Sequence, residues 1–175
     1  MRNVLTLAGA LALGLAGQAA AHVVVSPEAL PAATFATVSF WAPEGCAGSP
    51  TTAVRIEIPK TVAMAKPQAK AGWTLELVKE PLAKPIIGEA GLIKERVAAV
   101  VWRGGSVPDD QFEQFTILIR TPSEAGPAYF PAVQTCEKGE ARWVEVPSAE
   151  TAGKGLAKPA PVLKVTPAAH GAPHH

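Results

Sequence analysis

His22 is the residue whose type and position could do chemistry. It stands directly after Gln18-Ala19-Ala20-Ala21, whose small residues form a signal-peptidase site for a cut after Ala21. Before that site lie a basic start, Met1-Arg2-Asn3, and a short apolar run over residues 4–17. The run is shorter than the ~20 residues a membrane-spanning helix needs. Residues 1–21 are therefore expected to be a cleaved export signal, and cleavage would give His22 a free α-amino group. An amino-terminal histidine carries two nitrogen donors, the amine and imidazole Nδ1, that can close a chelate ring on one metal ion. Such donors bind as neutral groups and suit Cu(II), which tops the divalent affinity order. The bland alternative is that His22 merely marks where the signal ends.

Further ligands have to come from the fold. If residues 22–25 and 35–41 pair as antiparallel neighbours, the start of one lies beside the end of the other. The turn Pro43-Glu44-Gly45-Cys46 then comes close to His22. Glu44 is the expected carboxylate ligand, although a solvated turn residue would need no function. Glu57 is a rival acid that alternation places on an outer face in mid-strand, and Gln68 is a weaker rival because it is a neutral amide. Trp143 could cap the site or serve as an ordinary core aromatic. His170, His174 and His175 lie at the end of the sequence. They could capture copper weakly and raise its local concentration, or simply belong to a solubilising tail.

The elements that must position these residues are short strands. Seventeen prolines and fifteen glycines favour turns over long helices. Alternating or β-branched stretches occur at 22–25, 35–41, 52–58, 73–78, 97–102, 114–120, 129–136 and 141–146. Val38 and Phe40 share one face of the second, and Val54, Ile56 and Ile58 are the inward set of the third. Phe115, Ile117 and Ile119 share a face of the sixth. This spacing predicts an all-β immunoglobulin- or cupredoxin-like sandwich over residues 22–150. Residues 81–93 read as a long hairpin loop or irregular excursion, and residues 151–175 as a disordered, histidine-containing tail. Cys46 and Cys136 make an even pair in an exported chain, so one disulfide is expected. It would tie the Glu44 turn to the segment just before Trp143.

After signal removal about 150 residues remain, ordinary for one domain. The formal net charge is +1, which gives no field to draw in nucleic acid or an anionic membrane. No later segment is apolar enough to span a bilayer, so the mature product is expected to be soluble and periplasmic or secreted. A glycine-rich phosphate loop before a helix is missing. Met64 is the one methionine left after processing, which speaks against a methionine-rich Cu(I) site.

Several segments, in order, resemble the YcnI-like family of exported copper-binding proteins. They are His22-Val23-Val24-Val25-Ser26-Pro27, the stretch from Gly45 to Thr52, Ala71-Gly72-Trp73, Gln114-Phe115, Tyr129-Phe130-Pro131 followed by Gln134, and Arg142-Trp143-Val144-Glu145. The resemblance implies a β-sandwich in which the mature amino-terminal histidine and a glutamate brace Cu(II), with a tryptophan close by. His22 and Trp143 match the family's positions. Many relatives place histidine where this chain has Glu44, and others place an acid where it has Gln68. The third ligand thus stays open among Glu44, Glu57 and Gln68.

Three function classes follow. A copper-binding chaperone or store, binding without turnover, is the expectation, with copper ion and copper-trafficking proteins as partners. A copper oxidase resembling polysaccharide monooxygenases would need a second histidine in the folded region, where His22 stands alone. A metal-free adhesion or scaffold sandwich is the third, since this architecture hosts many functions.

Overall fold

Alternation of apolar and polar side chains puts every second residue of a strand on one face, and that face seeks a partner sheet. The computed structural model describes residues 22–42, 44–88, 91–148, 151 and 155–168. Within them the strands are β1 (Val24–Ser26), β2 (Ala29–Pro31), β3 (Phe35–Ala42), β4 (Thr51–Glu57), β5 (Ala65–Pro67) and β6 (Thr74–Gly88). They continue with β7 (Gly91–Val107), β8 (Glu113–Arg120), β9 (Gly126–Tyr129), β10 (Ala132–Cys136), β11 (Glu140–Trp143) and β12 (Val162–Thr166).

A four-stranded sheet has the order β1-β3-β8-β5, and a five-stranded sheet the order β11-β10-β4-β7-β6. A smaller sheet runs β2-β12-β9. Val38, Phe40, Phe115, Ile117 and Ile119 of the first sheet are buried in one cluster with Val54, Ile56, Val100 and Trp102 of the second. The smaller sheet adds Ala128, Leu163 and Val165 to the same core. The expected all-β sandwich is present, the expected inward set of β4 is buried, and the shared faces read in β3 and β8 are the buried ones. The stretch 129–136 is split at Phe130-Pro131, so β9 joins the small sheet and β10 the five-stranded one.

Two expectations need correction. The described residues between 81 and 93 are neither a loop nor an irregular excursion but belong to two long antiparallel strands, with Pro81 opposite Glu95, a register shift, then Ile86 opposite Ile93 and Ile87 opposite Leu92. The tail expected to be disordered from Thr151 contains β12, which runs parallel to β2 and antiparallel to β9. Leu163 is 0 % exposed, and it alternates with outward Val162 and Lys164. The domain therefore extends past residue 150 to Thr166 at least, because the core needs these side chains to cover it.

Candidate metal centre

The site begins with the β1–β3 pairing, which follows the expected antiparallel arrangement. Val24 lies opposite Trp41, and Val25 opposite Phe40. Val23 and Val25 are buried, which fixes the strand in register because a one-residue slip would turn them outward. β1 thus starts toward the end of β3, the end from which the chain leads on to the Glu44 turn.

The turn is held from several sides. Cys46 and Ser49 exchange backbone hydrogen bonds at 3.0 and 3.1 Å. Asp109 Oδ1 accepts from the Gly45 N–H at 3.1 Å. A Cβ at position 45 would sit 2.1 Å from the Ser49 carbonyl oxygen, so only glycine fits this close approach. Cys46 is bonded to Cys136, with 5.9 Å between their Cα atoms, as the cysteine count led one to expect. Gln134 donates from Nε2 to the Glu44 carbonyl and to Thr51 Oγ1. It is 3 % exposed, so its amide serves as a buried brace for the turn. Sequence reasoning assigned Gln134 no role. Its signal was a polar residue on the inward face of β10, in step with Ala132 and Cys136.

Trp143 ends β11, opposite Ala132. It is 3 % exposed and belongs to the core cluster. The His22 ring also packs on it, with centroids 4.9 Å apart and planes inclined by 59°. The core and cap roles weighed for Trp143 are therefore compatible in space. Its indole Nε1 is buried without a hydrogen-bond partner among the described residues. Lys158 Nζ stands 4.3 Å from the centre of the same ring. An open cavity of about 590 Å³ at this mouth is lined by Glu44, Asp109, Lys138, Glu140, Trp143 and Lys158, among others.

The rival third ligands sit elsewhere. Glu57 is on the outer face of β4, where its Oε1 accepts from Arg55 Nε at 2.7 Å. Gln68 follows β5, at the opposite edge of the four-stranded sheet from β1. Its carbonyl accepts from Trp102 Nε1 at 3.2 Å. The cleavage site, Pro43 and the histidines His170, His174 and His175 lie outside the described residues. Among the described residues no group of three or more His, Cys, Asp or Glu side chains is placed to hold a metal, and no helix is long and apolar enough to cross a membrane.

Comparison with known proteins bears on the family and the fold. Copper-binding protein CutI of Bacillus subtilis (strain 168) is 26% identical over 136 residues, which make up 76% of this chain. The chain spans 60% of that relative's length. An uncharacterized protein from Nocardia farcinica, whose crystal structure reveals an immunoglobulin-like fold, matches with a TM-score of 0.60 and 26% identity. That match covers 82% of this chain and 97% of the Nocardia chain. The family model described as Domain of unknown function (DUF1775) matches residues 22–165, from the histidine of the site to the buried end of β12. The chain belongs to the DUF1775 family.

Proposed function

We propose that this chain is an exported copper-binding protein, periplasmic or secreted, that holds Cu(II) at the amino terminus created by cleavage after Ala21. The His22 amine and Nδ1 form the chelate, the Glu44 carboxylate supplies a third donor, and Trp143 caps the site. The protein acts in copper homeostasis as a chaperone or store, binding without turnover and exchanging copper with other trafficking proteins. One observation carries this reading: the His22 ring packs 4.9 Å from that of Trp143, which lines one cavity together with Glu44. The distant relative named as copper-binding supports it. The buried, unpartnered Nε1 of Trp143 adds to the case. Such a donor costs about 1–3 kcal/mol, which is tolerated where something other than stability requires an indole.

Protein beginning at His22 should be compared with protein carrying one extra residue before it. Extension removes the primary amine, and Cu(II) affinity should fall by at least about 100-fold, or more than ~2.7 kcal/mol, with a changed electron paramagnetic resonance spectrum. Glu44→Gln should weaken binding by roughly tenfold and alter that spectrum. Equal affinity in the extended protein would sink the chelate, and an unaltered Glu44→Gln spectrum would move the carboxylate elsewhere.

A further inference from the structure

The segment from residue 155 to β12 does more than complete the core. Glu145 N–H donates to the Lys158 carbonyl at 3.0 Å, Ala160 N–H donates to the Glu145 carbonyl at 2.9 Å, and the Lys158 N–H donates to Glu145 Oε2 at 3.0 Å. Glu145 and Pro159 form a parallel bridge. The backbone of Lys158 is thus fastened beside the strand that carries Trp143, two residues before Glu145. Its ammonium rests 4.3 Å from the indole centre, inside the range of a cation–π contact. The side chain is exposed, so burial does not force it there.

The same indole meets the His22 ring at 4.9 Å. Together the two distances cap the ammonium–imidazole separation at about 9 Å, roughly one Debye length at physiological salt. Lys158 is exposed, so water and salt weaken the interaction, but charges this close still act on one another. We propose that Lys158 is a positioning residue for the metal site: its ammonium holds the Trp143 indole beside His22, and its charge limits how tightly a dication is held there. This rests on the copper reading above. Its charge disfavours Cu(II) more than Cu(I), because the repulsion scales with the charge of the ion. Lys158 therefore raises the Cu(II)/Cu(I) potential of an ion bound there.

Lys158→Met and Lys158→Arg test this, with the protein starting at His22. In the metal-free protein, the Trp143 indole N–H resonance should move in Lys158→Met and return toward the parent position in Lys158→Arg. In the copper-loaded protein, Lys158→Met should bind Cu(II) about tenfold more tightly. Its potential should fall by about 30 mV, a threefold change in the Cu(II)/Cu(I) affinity ratio at 59 mV per tenfold. Lys158→Arg should keep the parent values. Weaker Cu(II) binding with unchanged potential would reduce Lys158 to a structural residue and overturn the proposal, as would an unmoved indole resonance. If the parent protein takes up no Cu(II) tightly, the copper reading fails by itself. The metal-free resonance then still decides whether Lys158 positions Trp143.

Discussion

The two ends of the five-stranded sheet are built on different terms. At the β11 end, the Glu44 turn, β10 and the 155–161 segment converge on Trp143, joined by a disulfide, the Gln134 amide and the Glu145–Lys158 backbone bonds. At the other end, β6 and β7 run past the last residue of β4; Ala98 still accepts from the Ile58 N–H at 2.8 Å, and from Val97 outward the two strands pair only with each other in the sheet among the described residues. That arm exposes Ile86, Ile87, Leu92 and Ile93. It is fastened at its root by Arg96, 5 % exposed, whose guanidinium donates to the carbonyls of Ile58, Pro59 and Val62 and pairs with Glu80 at 2.6 Å. The candidate metal end is constrained from several directions in sequence, and the arm from one. Rigidity belongs where ligands must be held within a fraction of an ångström, and local opening where nothing depends on it.

Breaking the cross-link at the constrained end should have the largest effect. Cys46 and Cys136 are 90 residues apart, and closing a loop of that length stabilises by about 4–5 kcal/mol in the chain-entropy model. The double variant Cys46→Ser/Cys136→Ser should lose most of that in urea unfolding and should also weaken Cu(II) uptake, because the Glu44 turn loses its tie to β10. A loss under about 1 kcal/mol would show that Gln134 and Asp109 hold the turn without the disulfide.

Arg96→Met comes next and strikes the other end. It keeps the stem but leaves three carbonyls and a carboxylate without their donor, at a cost of about 3 kcal/mol. The comparison predicts where the damage appears. Amides of the arm should exchange faster in hydrogen-exchange measurements, while those around Cys136 and Trp143 keep their protection. Equal acceleration at both ends would mean that the sheet opens as one unit and that the contrast is only static.

How much of this was legible in sequence depended on whether a residue's neighbours imposed a period. β3, β4 and β8 pack one face on the core, and their alternation of Val38 with Phe40, Val54 with Ile56, and Phe115 with Ile117 shows it. The antiparallel pairing of β1 with β3 followed from the same logic, and the disulfide from compartment chemistry. The arm gave no such signal, because a two-stranded ladder outside the core has no obligatory inward face, and Pro81 and Pro85 read as breaks. β12 was hidden because its five residues follow a stretch rich in Ala, Pro and Lys, and two buried side chains are too few to mark a period. Lys158 could not be found at all, since a lysine in such a stretch acquires meaning only once the chain folds back over Trp143. Arg96 reads as a surface charge until three carbonyls are found around it.

The smallest effect belongs to the arm's tip. Ile87 is 91 % exposed, so folding of this chain removes little of its surface from water and little hydrophobic stabilisation is at stake. Ile87→Ser should shift the urea midpoint by no more than about 0.5 kcal/mol equivalent and leave Cu(II) affinity unchanged, while Arg96→Met shifts the midpoint several-fold more. The ratio sharpens the contrast between a fixed root and a loose tip. A loss above about 1 kcal/mol would reverse it, because burial absent from this fold would then have to be supplied by another molecule. Sedimentation at rising protein concentration would show whether that molecule is a second copy of the chain: the parent would associate and Ile87→Ser would not.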